Sequence, residues 1–511
     1  MEYRDRIMNR NIVIIGGGIT GCALARDLSR YQDLTIHLIE KENDVGWGAT
    51  KANTGIIHPG HEDDPTRYPF RSHLCVRGND LWRTLSNDLD IPTTWPGELM
   101  IARDELEKKE LKRFFSIGKE NGVKDLRIID GSEIFDLEPN CTNNTIAALW
   151  APTAGLIEPW EATIALIENA VDNGVKVHLN TKVSDLIIEN EQVRTVRTNN
   201  GSIPADIVIN AAGLFADNIS KMASIEEGSI RPRKGQYFLF DEDATPKVNR
   251  IIHQVPSQTT KGVYAVTTVE GNLMLGPTAE DLNDDEKDER GTDQKGLDHV
   301  WDHATTLLKE LPPKKRVSKI FAGLRPEPPN GKYIIKSYDK PWGFINVMGI
   351  RSPGLTAAPA ISEYVTSNLL KKDLDINLIE KKTWNPYRKR IQRFSQLSTV
   401  KQNEYIKENK AYGTVVCMCK EITEAEIVDA IQRIQKLGGP VTVDSVKFRT
   451  LAMFGFCQGS FCRSKIACII SEQLNIPLYK VLQNTMDTDY GIGKIKTLLK
   501  ENGGLEDGQR V

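Results

Sequence analysis

Four cysteines towards the C-terminal end, Cys417, Cys419, Cys457 and Cys462, are spaced C-x-C and then, after a gap of 37 residues, C-x4-C. Four thiolates on two tight loops bind either Zn²⁺ or a [2Fe–2S] cluster. Zinc pairs generally leave about two to four residues between ligands, so a C-x-C pair suits the cluster better. The stretch GFCQGSFC sets glycine beside the thiolates, where backbone N–H groups can approach cluster sulfurs. The remaining cysteines, Cys22, Cys75, Cys141 and Cys468, have no metal spacing, and Cys22 and Cys468 read as small core residues of helices.

A second chemistry is written about four hundred residues earlier. Gly16, Gly18 and Gly21 form G-x-G-x-x-G directly after a β-branched run, and Glu40 follows Gly21 by 19 residues. Glycine permits the tight turn and the close approach of backbone to a pyrophosphate, the helix N-terminus favours its charge, and an acid at that distance can accept from ribose hydroxyls. The pattern does not choose between NAD and FAD. Two later stretches do: VINAAGLFAD (208–217) ends a strand in small residues, and GIRSPGLTAAP (349–359) is a glycine-rich turn entering a helix. Contacts scattered from residue 16 to residue 356 suit a large cofactor threaded between interleaved domains, which favours FAD.

Oxidising an alcohol at a flavin needs a base for the hydroxyl proton and counter-charges for an anionic substrate. His58, in NTGIIHPG, is the base candidate because imidazole titrates near working pH. Thr54 in the same loop is a candidate contact for substrate or flavin. Arg325 in GLRPEPP and Arg351 in GIRSPG sit in Gly/Pro turns where a guanidinium fork can be held for phosphate or carboxylate. Ser352 adds a hydroxyl, and Lys261 in TKGVYAVTT a further cation.

These residues need a frame. Residues 11–16 read as a buried parallel strand, the following stretch as a helix and 34–41 as a second strand, which makes a βαβ unit. The chain of 511 residues is too long for one core, and 40% hydrophobic with 26% charged residues is ordinary for a soluble protein. A net charge of −3 provides no basic field for nucleic acid. No apolar run is long enough to span a bilayer, and the charged start MEYRDRIMNR lacks the apolar region of a secretory signal. Free cysteines then point to a reducing compartment, the cytoplasm. Residues 384–410 are polar and basic and read as a connector, the run 387–393 as a solvated face and 279–290 as a solvated acidic loop.

The stretches GATKANTGIIHPG, VINAAGLFADNIS, GNLMLGPTAED, FAGLRPEPP and INVMGIRSPGLTAAPAI together resemble the FAD-dependent oxidoreductases of the D-amino-acid-oxidase superfamily. Within it the resemblance is to glycerol-3-phosphate dehydrogenases and oxidases and to L-2-hydroxyglutarate dehydrogenases. It covers roughly residues 10–370 and implies an α/β architecture: a Rossmann-like FAD-binding domain interleaved with an antiparallel-sheet substrate domain. The cysteine region resembles the bacterioferritin-associated-ferredoxin type of [2Fe–2S] domain. It departs from that pattern at Met418 and Phe456, where basic residues are expected, and at Lys420, where an acid is expected.

The resemblance implies hydride transfer from a C–H bond to FAD, with His58 and Arg325 catalytic and Thr54, Lys261, Arg351 and Ser352 at the substrate. It implies flavin contacts at Gly16, Gly18, Gly21, Glu40, Lys41, Thr50, Val183, Gly213, Asp217, Gly349, Gly354, Leu355 and Thr356, and cluster ligands at Cys417, Cys419, Cys457 and Cys462. The expected layout is an oxidoreductase over 10–383, a linker over 384–411 and a [2Fe–2S] domain over 412–505. A flavin that takes a hydride beside a cluster that passes single electrons reads as a dehydrogenase exporting electrons to a protein subunit or quinone-linked partner, peripheral to a membrane through that partner. The expected substrate is sn-glycerol 3-phosphate. L-2-hydroxyglutarate, another hydroxy or amino acid, and a non-catalytic electron-transfer subunit remain alternatives on these residues.

Overall fold

A computed structural model describes residues 9–256, 262–491 and 493. Lys261, and residues 492 and 494–505 of the expected C-terminal domain, lie outside the described residues. The chain divides into two compact units: one takes in the described residues up to Arg390 except 42–44, the other takes in 42–44 and the described residues from Ile391 onward.

The first unit holds two large sheets. One has six strands in the order Ile334–Ser337, Phe344–Met348, Ile207–Asn210, Arg10–Ile15, Leu34–Ile39, Lys176–His178. All neighbours run parallel except the edge strand Ile334–Ser337. Ile12, Val13 and Ile14 are fully buried, as a strand covered on both faces requires. The helix Ile19–Leu28 follows the first strand and packs against the helices Pro159–Asp172 and Gly354–Tyr364.

The other sheet has nine strands, including Glu98–Ala102, Arg231–Phe240, Tyr264–Thr267 and Val317–Glu327. It is antiparallel as expected, save for one parallel pair, Ile251–Gln254 beside Glu98–Ala102. Its core gathers Leu99, Ile101, Phe238, Phe240 and Ile252 under the helix Gln294–Leu307, whose N-cap Asp293 accepts from Gly296 N. Strands of each sheet come from segments far apart in the chain, so the two domains are interleaved.

Three single residues depart from expectation. Arg388, in the basic run, is buried and donates to Glu161 Oε1 and Glu168 Oε2 at 2.8 Å each, two carboxylates that make its burial tolerable. Lys287, in the acidic loop, is buried against both oxygens of Asp217 at 2.7 Å. Cys468 is exposed on the outer side of the helix Arg463–Leu474, whereas Cys22 is fully buried.

The second unit is a small helical domain. A hairpin of Val415–Cys417 and Ile422–Thr423 leads into the helix Glu424–Lys436, followed by Val443–Thr450 and Arg463–Leu474. Ile427, Ala430, Ile431 and Ile434 recur at helical spacing and meet Val443, Val446, Ile466 and Ile470 in one core. Thr423 and Glu426 form a capping box that ties the first cysteine loop to the start of its helix. Ile391 and Phe394, read as connector residues, are buried in this unit.

Candidate active site and cluster loops

The glycine-rich turn has no room for side chains. Gly16 adopts φ +112°, and a Cβ there would lie 2.4 Å from Ala211 O; a Cβ on Gly21 would lie 1.9 Å from Gly16 O. The helix Ile19–Leu28 therefore seats directly on the strand end. Gly18 is its N-cap, and Ile19 N donates to Thr50 Oγ1 at 3.1 Å. Glu40 Oε2 accepts from Gly17 N at 2.7 Å, placing this carboxylate at the mouth of the turn. Lys41 Nζ lies 4.1 Å over the ring of Phe215, beside Gly213. Val183 packs with Val13, Ile15 and Ile39 beneath the turn. Asp217 spends its carboxylate within the fold, on Lys287 and on the backbone N–H groups of Asn218 and Ile230.

Substituting Gly21→Ala is expected to cut bound flavin by on the order of tenfold or more, because overpacking against a backbone oxygen cannot relax cheaply. Flavin absorbance per chain in the purified variant measures this. Full occupancy would mean the turn is not the pyrophosphate seat.

The base candidate is held from the opposite side. His58 is buried; its N–H donates to Thr356 Oγ1 at 2.9 Å, and its carbonyl accepts from Asn79 Nδ2 at 3.1 Å. Thr356 Oγ1 donates to Ile56 O, and Leu355 O accepts from Trp82 Nε1 at 3.0 Å. The loop 55–58 is thus clamped to the start of the helix Gly354–Tyr364, which Gly349 and the Arg351–Ser352 turn lead into. Thr54 and Ser352 are half-buried on these two loops.

Side chains that sequence reading did not single out complete the group. Glu62 Oε2 lies 3.8 Å from His58 Nδ1, and Tyr264 OH donates to Glu62 Oε1 at 2.7 Å. The Tyr264 ring meets His58 edge-on at 6.2 Å. Burial pushes the Tyr264 hydroxyl well above its ordinary range, and Glu62 and Glu98 add to that, so it stays a neutral donor. The only sequence cue to Glu62 is its position four residues after His58 in HPGHE.

The two arginines differ. Arg325 sits where a Cβ on nearby Gly323 would lie 2.0 Å from Ala52 O, so its strand touches the 50–55 loop. Its Nη1 and Nη2 each lie 3.3 Å from Thr278 O; it also bonds the Tyr237 hydroxyl and acts on Tyr264. Among the described residues Arg325 makes no ion pair with a carboxylate. Arg351 does: its Nη1 lies 2.6 Å from Glu327 Oε1, and its carbonyl accepts from Tyr333 OH. The charge expected at Arg351 is shared with a carboxylate partner, while Arg325 has none among the described residues.

In the second unit the four cysteines converge as two pairs. Cys417 interacts with Cys462, and Cys419 with Cys457, one member from each loop in each case. Two ligands per metal at two metals suits a two-iron rhomb. The hydrogen bond from Cys462 pulls the Cys417 thiol down to about 6, against burial, with backbone N–H groups of Met453, Lys420 and Cys419 assisting. A Cβ on Gly455 would lie 2.2 Å from Cys419 Cβ, so glycine is what lets the loops close together. Leu451, Met453 and Gln458 take positive φ, turning the second loop sharply around Cys457.

A family model described as FAD dependent oxidoreductase matches residues 11–368. The chain belongs to that family. A second model, the BFD-like [2Fe-2S] binding domain, matches residues 415–472, and the cofactors are FAD and a [2Fe–2S] cluster. Among relatives in this oxidoreductase family, a glycerol 3-phosphate dehydrogenase of Caloramator mitchellensis is 41% identical over 92% of this chain and 96% of its own. A glycerol 3-phosphate oxidase of Mycoplasma pneumoniae is 29% identical over 74% of this chain and 97% of its own. The solved structure of the FAD-bound L-alpha-glycerophosphate oxidase of that organism superposes with a TM-score of 0.68 at 28% identity, covering 74% of this chain and 98% of its own.

Proposed function

We propose that this oxidoreductase converts sn-glycerol 3-phosphate to dihydroxyacetone phosphate and delivers the electrons, by way of its cluster, to a separate acceptor protein. The observation that carries the reading is the half-buried Arg325 guanidinium with no carboxylate partner among the described residues, within the group that holds His58. A cation left uncompensated beside a buried base suits an anionic alcohol.

When bound, FAD supplies the hydride acceptor. The protein's own part is to orient and to move a proton. Arg325 and the neutral Tyr237 hydroxyl fix the anionic end and exclude water. His58 turns Nδ1 towards Glu62, which leaves Nε2 to take the proton of the substrate hydroxyl. Glu62, steadied by Tyr264, stabilises the imidazolium that results.

The exit side is supported by exposure. Met418, Phe456 and Phe461, adjacent in sequence to ligands on both loops, are 70%, 74% and 72% exposed. Large apolar side chains left in water beside a redox centre suit an acceptor protein that docks by apolar contact. No helix among the described residues is long and apolar enough to cross a membrane, and we place the chain in the cytoplasm, reaching a membrane only through its acceptor.

Mixing the anaerobic protein with glycerol 3-phosphate tests the reading. Rapid bleaching of the flavin band followed by loss of cluster absorbance is the expected result. Bleaching with L-2-hydroxyglutarate or an amino acid but not with glycerol 3-phosphate would remove the substrate and leave the fold and cofactors standing.

A further inference from the structure

Three buried side chains meet beside the His58 group without belonging to it. His61 lies in the loop beyond residue 58, Glu98 opens the strand Glu98–Ala102, and His253 lies on the neighbouring strand, where Ile251 stands opposite Glu98. All three are 0% exposed. One ligand atom from each lies within 4.8 Å of the other two. Nε2 of His61 and Nε2 of His253 approach the same oxygen, Glu98 Oε1, at 3.3 and 3.1 Å. A tetrahedral ion with bonds of about 2.0–2.2 Å holds its ligand atoms roughly 3.3–3.6 Å apart, so two edges of such a polyhedron are already close to length.

The charges point the same way. The groups that act on Glu98 are His253, His61 and the carboxylate of Glu62. Two carboxylates are therefore packed among three imidazoles, with Tyr264 stacked on His253 at 4.4 Å and donating to Glu62. The hydrogen bond from His253 Nε2 satisfies Oε1 only. Glu98 Oε2 is buried with no hydrogen-bond partner among the described residues, and so is His253 Nδ1. A buried carboxylate oxygen left bare is costly unless a cation lies within reach, and an ion at Oε1 is within reach of Oε2 in a bidentate mode.

We propose that His61, Glu98 and His253 form a closed site for one zinc ion or a comparable first-row divalent cation, separate from the cluster. Two imidazoles and a carboxylate are a donor set such ions accept, and the three arrive from separate segments already facing one another. The ion compensates both carboxylates and stiffens the stack of His253 on Tyr264, and through Tyr264 the carboxylate that faces His58. The site stands whatever the substrate.

Metal content of the intact protein, carrying flavin and cluster and dialysed against metal-free buffer, tests it. The expected result is about one equivalent of zinc or another divalent metal per chain. Iron in this site is counted as iron in excess of acid-labile sulfide. Glu98→Gln and, independently, His253→Gln are expected to lower that metal at least tenfold while flavin and cluster iron stay. Less than about a tenth of an equivalent in the unaltered protein, measured after expression with added zinc, overturns the proposal. So does metal retained in both variants, which would sit elsewhere, the cysteines included. Should one variant lose its flavin and so prove misfolded, the other variant and the unaltered protein decide.

Discussion

His58→Gln is expected to slow flavin reduction by substrate ~10²–10⁴-fold, the usual contribution of a positioned general base. Glutamine approximates the size of imidazole and can still donate and accept, but it does not take a proton in the working range. The backbone contacts that fix the loop, to Thr356 and Asn79, do not involve the ring and should survive. Flavin content and the substrate concentration for half-maximal rate should therefore change little, so that the loss falls on the chemical step. Glu62→Gln should give a smaller loss in the same direction, because it weakens the carboxylate that faces Nδ1 while leaving the base in place. Anaerobic stopped-flow at the flavin band measures both. An unchanged rate in His58→Gln would place the base elsewhere and undo the assignment.

Cys457→Ser is expected to abolish the cluster and with it electron delivery, by at least ~10²-fold, while substrate still reduces the flavin. Cys457 is the better choice because it is only partly buried, whereas Cys417 and Cys462 are part of the core of the second unit. Removing one thiolate breaks the Cys419–Cys457 pair and would leave the cluster one of its four expected cysteine ligands short. Iron and acid-labile sulfide per chain, flavin reduction by substrate, and reduction of a protein acceptor separate the steps. Acceptor turnover that persists without iron would mean that electrons leave from the flavin directly, and the cluster would need another role. The cluster also lends stability to a small domain, so this variant should unfold its C-terminal unit at lower temperature.

Much of the chemistry was legible because it is local. A turn with φ +112° at Gly16 and with Gly21 packed on Gly16 O, and cysteines spaced C-x-C and C-x4-C, are constraints acting within a few residues. The amphipathic helix Glu424–Lys436 and the βαβ start are legible for the same reason. What misled was partnership across distance. Arg325 and Arg351 look alike in sequence, both expected in Gly/Pro turns, yet Arg325 lies on the strand Val317–Glu327, and Glu327 on that same strand neutralises Arg351 and leaves Arg325 uncompensated. Lys287, within an otherwise exposed acidic run, and Arg388, within the basic run, look solvated until their buried partners are known.

From its sequence alone this protein determined its two cofactor seats, since backbone conformation and ligand spacing there are set by neighbours along the chain. Tertiary structure decided the rest. His58, Glu62, Tyr264 and Arg325 span more than 260 residues and meet because the loop after Ile56–Ile57 lies against the nine-stranded sheet, whose registers hold Tyr264 and Arg325. The same registers bring Glu98 and His253 to one buried point. Charge and burial belong to pairs of residues, and for Arg351–Glu327, Arg388–Glu161 and Glu98–His253 no single stretch of chain contains both members.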